Sequence, residues 1–419
     1  MTQLSLSIEG ASLECVEWTP GREAGLRRMA AFTPRMGRAY AGKRNYDYGR
    51  DRRANVSALS PWIRTRLVLE EEAAAAALNA HGLSPAEKFL QEVCWRTYFK
   101  GWLEHRPGVW TAYLRDLKGA LDACGQDAVL RKRYEAAITG RTGIDCFDAW
   151  ASELVETGYL HNHARMWFAS IWIFTLKLPW VLGADFFLTY LMDGDAASNT
   201  CSWRWVAGLH TAGKTYLARS SNIKKYTDGR FDPEGLAAAA PALEGDIPAP
   251  GVLPPVDPPP DGPIALLLTE EDLGVETLRP PGAEVKALAG VSFAADRGPN
   301  GVGAQAAAFA AGALEDALDR GAEVFGVKSF ALAGDATFTE VAAAWARASE
   351  CKTVVTGFPA VGWVRPRLEA LSAQLKAEGV ALRYLQRPWD ALFWPHAKKG
   401  FFGLKKAMPS VLAELGLPV

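Results

Sequence analysis

The sequence predicts a multi-domain chain: an all-α unit over residues 1–236, a linker over 237–262 and a small α/β unit with a parallel sheet over 263–419. Three observations carry this expectation. From Pro20 the apolar pattern turns helical, and further helices read at Glu70–Ala77, Glu87–Glu104, Asp148–Gly158 and His161–Leu178. The stretch Ala237–Gly262 is rich in Ala and Pro and ends in PPVDPPPDGP, which its prolines hold semi-extended. Beyond it, short apolar runs alternate with helical patterns, as strand–helix–strand units require. At 419 residues the chain can build two or three sizeable cores.

Residues 1–20 read as a short strand-like or irregular lead. The next helix sets Leu26, Met29, Ala30 and Phe32 on one side and arginines on the other. Ser57-Ala58-Leu59-Ser60-Pro61 marks a helix start: Ser caps well and Pro suits the first helical position. Oriented N–H groups and small hydroxyl residues there would also favour an anion such as a diphosphate. Glu70–Ala77 reads as a solvated surface helix. In Glu87–Glu104, Phe89, Val93, Trp95, Tyr98, Phe99 and Trp102 cover most of the circumference, so burial is expected, with Glu92 and Arg96 one turn apart and able to pair. Residues 105–140 form a helical connector, followed by helices Asp148–Gly158 and His161–Leu178, where Asn162 and Arg165 share a face. Asp193, Asp195 and Asn199 lie in a Gly-punctuated turn leading into a helix and can bind ring N–H groups, ribose hydroxyls or an Arg.

In the second unit, PIALLLT, EVKALAGV, AEVFGVKS, KTVVTGF and VALRYLQ read as strands, and 303–319, 336–349 and 364–378 as helices. Gly298–Gly303 before a helix is a weak phosphate-loop signal. The tail from Trp389 mixes aromatics with four lysines and is expected to pack across another surface, the first unit being one candidate.

Composition excludes several classes. Six scattered cysteines without a CxxC pair, and histidines without metal-ligand spacing, argue against a zinc or iron–sulfur site. The apolar run Met166–Leu182 is broken by Lys177 and Pro179, so it reads as a buried helix and no membrane partner is expected. MTQLSLSIEG lacks a signal pattern, and a cytoplasmic protein is expected. Residues 1–235 hold 30 Lys and Arg against 26 Asp and Glu, and residues 236–419 hold 16 against 21, so a polyanion would meet the first unit. There Lys214, Arg219, Lys224 and Lys225 form a basic strip interleaved with aromatics, which suits nucleic-acid phosphates and bases; a solvated basic face is the other reading.

The densest mixture of aromatic, acidic, amide and basic residues lies between Arg141 and Phe231. Arg141-Thr142-Gly143, Asp148-Ala149, Thr157-Gly158, His161-Asn162, Arg165-Met166, Asp193-Gly194-Asp195, Asn199 and Trp203-Arg204-Trp205 follow in an order and spacing that resembles the FAD-binding domain of the photolyase/cryptochrome family. The resemblance covers about residues 20–235. It implies an all-α photolyase-type domain holding FAD through Tyr46, Ser57, Ala58, Leu59, Ser60, Arg96, Phe99, Asn162, Arg165, Asp193, Asp195 and Asn199, with Asn199 opposite the flavin N5; any second, antenna chromophore stays undefined. It further implies Glu92, Trp95, Asn162, Met166 and Trp205 as the lesion pocket. Trp203 and Trp180 would be electron-transfer residues, with Tyr134, Trp110 or Trp150 as the distal member. Arg50 would join Lys214, Arg219, Lys224 and Lys225 in contacting damaged DNA. The implied activity is light-driven repair of cyclobutane pyrimidine dimers by a monomeric, metal-free enzyme; Asn162 favours that lesion over the (6-4) photoproduct. The alternative is a cryptochrome-like blue-light sensor without repair activity. The chain departs from the family at Arg64-Thr65-Arg66, where small and aromatic residues are usual, at His163, where Arg is usual, and in carrying its α/β unit after the FAD-type unit.

Overall fold

A computed structural model describes residues 13–419, so most of the expected N-terminal lead lies outside the described residues, and Leu13–Pro20 are irregular. The helical unit runs through α1 (Arg22–Phe32), α2 (Arg38–Lys43), α3 (Ser60–Arg64), α4 (Glu70–His81), α5 (Leu83–Glu104) and α6 (Gly108–Gln126). It continues through α7 (Ala128–Ile138), α8 (Asp145–Thr157), α9 (Asn162–Ser170), α10 (Trp180–Tyr190), α11 (Ala196–Ala207) and α12 (Ser220–Tyr226). The axis of the unit is α5, buried along most of its length as its aromatics predict, and α2, α4 and α11 pack against it. In α8 the buried face is Cys146, Phe147, Trp150, Ala151 and Leu154, an i, i+1, i+4, i+5, i+8 stripe, and each large side chain on it contributes about 1.5–3 kcal/mol.

Two helices differ from their expected faces. The buried edge of α1 is Gly25, Arg28 and Phe32, with Leu26, Met29 and Ala30 only half-buried, because Arg28 turns inward to bond Ser57 O at 2.9 Å. The α4 helix is no plain surface helix: Ala73, Ala74 and Ala77 pack inward, and Glu70 is buried 3.4 Å from Arg66. Methyl side chains let α4 approach α5 closely, which a reading by polarity alone overlooks.

The second unit contains β1 (Gly262–Thr269), β2 (Ala283–Val291), α13 (Ala304–Phe325), β3 (Ser329–Ala331), α14 (Phe338–Ala348), β4 (Thr353–Gly357), α15 (Val364–Ala377), β5 (Ala381–Leu385), α16 (Pro388–Phe393) and α17 (Phe401–Glu414). The strands pair in parallel in the order β3-β2-β1-β4-β5. Ile264–Leu268 are wholly buried, as expected of a parallel strand covered on both faces. The strand expected over AEVFGVKS is a correction: α13 continues to Phe325, Gly326 ends it at φ 65°, and only Ser329–Ala331 pair, at the sheet edge. The Gly298–Gly303 loop packs on the helical unit instead of opening as a phosphate cradle, with Asn300 Nδ2 bonding Asp185 at 2.5 Å and Gly303 N bonding Thr189 O at 2.8 Å.

The linker is a strap across the helical unit. Gly251 N bonds His105 O at 2.7 Å, Arg106 Nε bonds Pro248 O at 2.8 Å, and Asp257 accepts from Tyr384 N at 3.0 Å. The tail does lie on the first unit: Trp389 Nε1 bonds Thr97 Oγ1 at 2.8 Å, and Phe401 stacks on Trp95 with ring centroids 3.8 Å apart and planes 10° off parallel. No helix among the described residues is long and apolar enough to cross a membrane.

Candidate functional site

The loop before α3, the middle of α5, the start of α9, the Asp193–Asp195 turn and α11 enclose one cavity, which with its open mouth holds about 1460 Å³ of empty space. Its wall brings together Ser57, Ala58, Leu59, Ser60, Glu92, Trp95, Arg96, Phe99, Asn162, Arg165, Met166, Asp193, Asp195, Asn199, Trp203 and Trp205. Local chemistry explains several placements. Asp195 caps α11 by accepting from Ala197 N and Ser198 N, both at 2.9 Å. His161 caps α9, which points Asn162 and Arg165 at the cavity from one face. Ala58 holds φ 54° in the wall, a left-handed conformation uncommon for a residue with a Cβ.

The Asp193–Asp195 turn is the electrostatic centre. Asp193 accepts from Arg165 Nη2 at 3.0 Å and lies 3.6 Å from Arg96 Nη2, while Arg96 Nη1 bonds Asp195. Burial pushes both carboxyls up, but Arg165 and Arg96 beside Asp193, and Arg96 and Lys100 beside Asp195, outweigh it and hold both below the usual range. Glu92 and Arg96 do not pair as their spacing suggests: Arg44 Nη1 takes Glu92 Oε1 at 2.5 Å, and Arg96 turns to the acidic turn. A helix-surface pair is worth only about 0.2–0.5 kcal/mol, whereas leaving two buried carboxylates unpaired costs several times more. Burial pushes the Glu92 carboxyl up against the pull of Arg44. Arg44, Tyr159, Ser198 and Ser202 also line the cavity and carry no motif that would have singled them out.

Among the tryptophans, Trp203 is fully enclosed and Trp205 half-buried in the wall. Trp203 packs against Phe187 at 5.1 Å and Trp172 at 6.1 Å, and Trp172 is 6.1 Å from Tyr134. Trp180 stands outside the wall, 5.7 Å from Tyr113, which is 5.1 Å from Trp110. Trp150 stacks on Trp167 instead, at 5.5 Å. Gly183 makes the Trp203–Trp172 contact possible, since a Cβ there would fall on Trp203 Cη2 and 2.9 Å from Trp172 Cε2. Gly183→Ala is therefore expected to destabilise the chain by about 1–3 kcal/mol by overpacking, read from its unfolding midpoint; an unchanged midpoint would contradict this packing.

One expected FAD contact lies outside the cavity. Tyr46 is outside the cavity wall, stacked on Tyr48 at 5.4 Å and set edge-on to Tyr226 at 5.1 Å. Arg50, Lys214, Arg219, Lys224 and Lys225 are all exposed, but Arg50 is paired with Glu156 and Lys224 with Asp232, each at 2.7 Å, and Lys225 lies over Tyr226 at 4.9 Å. The described residues contain no group of three His, Cys, Asp or Glu able to hold a metal.

The cavity residues fit an FAD. Hydroxyl and backbone donors of the Ser57–Ser60 turn, two arginines, amides on Asn162 and Asn199, and a buried, unpartnered Asp193 Oδ1 line one continuous cleft. Residues 89–238 match the sequence pattern of the FAD binding domain of DNA photolyase. The deoxyribodipyrimidine photo-lyase of Synechococcus is 30% identical over 216 residues, covering 49% of this chain and 43% of the relative. That of a Thermus thermophilus strain is 33% identical over 216 residues, covering 52% and 49%. The chain thus spans less than half the length of these curated relatives. Among solved structures, a bacterial class III photolyase from Agrobacterium tumefaciens is 25% identical with a TM-score of 0.40, covering 50% of this chain and 43% of that one. The resemblance read from the motifs is borne out over this stretch: residues 89–238 are similar in sequence to the FAD binding domain of DNA photolyase.

Proposed function

We propose that the protein is a light-driven, FAD-dependent DNA photolyase that splits cyclobutane pyrimidine dimers. The observation that carries this reading is the single cavity joining Glu92, Trp95, Asn162, Met166 and Trp205 to the Asp193–Asp195 turn and Asn199. When bound, FAD would supply light absorption and one electron, returned once the dimer has split. Ser57 and Ser60 offer donors to the diphosphate, and Arg96 and Arg165 fix the acidic turn against the ring. Asn199 Nδ2 is tied to Ala184 O at 2.8 Å, which orients the amide and leaves its Oδ1 to accept from a flavin N–H. Trp95 and Trp205 offer ring surface to the extruded bases, and Glu92 offers hydrogen bonds to their carbonyl and N–H edges. Trp203 and Trp180 serve as electron-transfer residues, and Arg50, Lys214, Arg219, Lys224 and Lys225 meet the phosphates.

The test is light-dependent restoration of thymines in a thymine-dimer oligonucleotide by the reduced protein, against a dark control. Glu92→Ala is expected to slow repair about tenfold or more, the factor of one lost bond to the reacting group, with FAD still bound. Loss of FAD in that variant would contradict its role. The second reading, a cryptochrome-like sensor, is favoured by the engagement of Arg50 and Lys224 with acidic neighbours. It predicts no preference for damaged over undamaged DNA across a salt series, whereas a repair enzyme prefers the lesion.

A further inference from the structure

The α/β unit reaches the underside of the cavity through residues that no flavin motif contains. Arg64 is buried and makes three bonds: Nε to Gly194 O at 3.0 Å, Nη1 to Glu270 O at 2.6 Å and Nη2 to Glu271 Oε1 at 2.7 Å. Glu271 also accepts from Lys100 Nζ at 3.2 Å. Arg297, buried as well, donates from Nη1 to Leu191 O at 2.8 Å, and that nitrogen lies 3.4 Å from where a Gly194 Cβ would stand. Trp363 packs 5.5 Å from the Arg64 guanidinium and 5.7 Å from that of Arg297, and its indole N–H bonds Glu270 at 3.1 Å. The carbonyls on either side of Asp193, those of Leu191 and Gly194, are therefore each held by an arginine. Arg297 belongs to the α/β unit, and Arg64 is held by its Glu270 and Glu271. Two guanidiniums cannot stay in this dry place unless their carboxylate and carbonyl partners are docked around them, so the shape of the turn and the docking of the second unit are one event. The departure of Arg64 from the family's small or aromatic residue acquires a reason here, because the arginine serves a partner that lies elsewhere along the chain.

We propose that Arg64 and Arg297 are positioning residues of the flavin cavity, and that the C-terminal α/β unit is thereby part of the cofactor site. Docked, it holds the Asp193–Asp195 turn in its cofactor-binding shape. This rests on the reading of the cavity as an FAD site. The test is FAD titration of the full chain by flavin fluorescence quenching, well below each variant's unfolding midpoint. Arg297→Met and Arg64→Met are expected to weaken FAD about tenfold or more. Arg297→Met removes no partner of a direct ion pair and keeps the test available if Arg64→Met does not fold. The control is Glu104→Gln, which breaks another bond of the same junction, with Arg365 at 2.7 Å, and touches no atom of the turn. It is expected to lower the unfolding midpoint while FAD affinity stays within about twofold. Arg297→Lys, which keeps a donor for Leu191 O, is expected to bind within about threefold of the unsubstituted chain. Methionine variants that bind like the unsubstituted chain, a Glu104→Gln that weakens FAD as much as they do, or a lysine variant as weak as methionine would each overturn the positioning role. An unsubstituted chain that takes up no FAD would overturn the cavity's assignment and this proposal with it.

Discussion

Replacing Arg66 with methionine is expected to cost about 3–5 kcal/mol of folding free energy, enough to leave much of the chain unfolded at moderate urea. Arg66 is buried and stands between three buried carboxylates: Asp390 at 2.5 Å, Asp272 at 3.2 Å and Glu70 at 3.4 Å. One more cation serves this group, Arg387, which holds both oxygens of Asp272 at 2.6 and 2.7 Å. Methionine fills much of the arginine's volume, so the loss isolates the charge: three desolvated acids would share one guanidinium. The cluster also joins the two units, since Arg66 and Glu70 come from the helical unit and Asp272, Arg387 and Asp390 from the other. Urea unfolding followed by tryptophan fluorescence and far-UV circular dichroism measures the cost. A loss below about 1 kcal/mol would mean that water or a rearranged lysine compensates, and the cluster would not be the fastening that its geometry describes.

Acid is expected to loosen the same junction through Glu271. Burial pushes its carboxyl up, but Arg64 and then Lys100 pull it down further, to about 2. Its ordinary value is 4.5, so the folded chain holds the ionised form better than the unfolded chain does. The stabilisation is fully present above pH 4.5 and is lost as pH falls toward about 2. Over that window its size is on the order of 3 kcal/mol. Asp272, Asp193 and Asp195 are also held low, by Arg387, Arg165 and Arg96 respectively, and add in the same direction. Glu270, pushed up by burial, acts the other way, so the informative quantity is the difference between the unsubstituted chain and Glu271→Gln. That difference is expected to shrink between about pH 5 and pH 2. A gap that stays constant across the series would show that Glu271 does not titrate against Arg64 and Lys100.

Much of the molecule is legible in its sequence because much of it is local. The aromatic crowding of Glu87–Glu104 announces a buried helix, and α5 is the axis of its unit. Alternating apolar runs announce the parallel sheet, and four of five strands fall where they are expected. Asp195 as a cap, and Asn162 with Arg165 on one face, follow from spacings of two to four residues. The residues expected to hold FAD and to form the lesion pocket collect in one cavity, apart from Tyr46, and Trp203 joins them while Trp180 does not.

What the sequence alone determined, then, is the set of helices and strands and the kinds of side chain available to one cleft. The tertiary structure decided which charges meet. Glu92 takes Arg44, 48 residues away, in place of the neighbour one turn on; Arg64 finds Glu271 across 207 residues; Arg66 finds Asp390 across 324. It also set Trp172 rather than Trp180 against the ring of Trp203, through the missing side chain of Gly183, and laid Phe401 of the tail on Trp95. The physical reason is range. Backbone propensity, capping and periodicity act within a turn or two and are written in adjacent letters, whereas a buried charge pairs with whatever partner the packed fold brings to the same dry place.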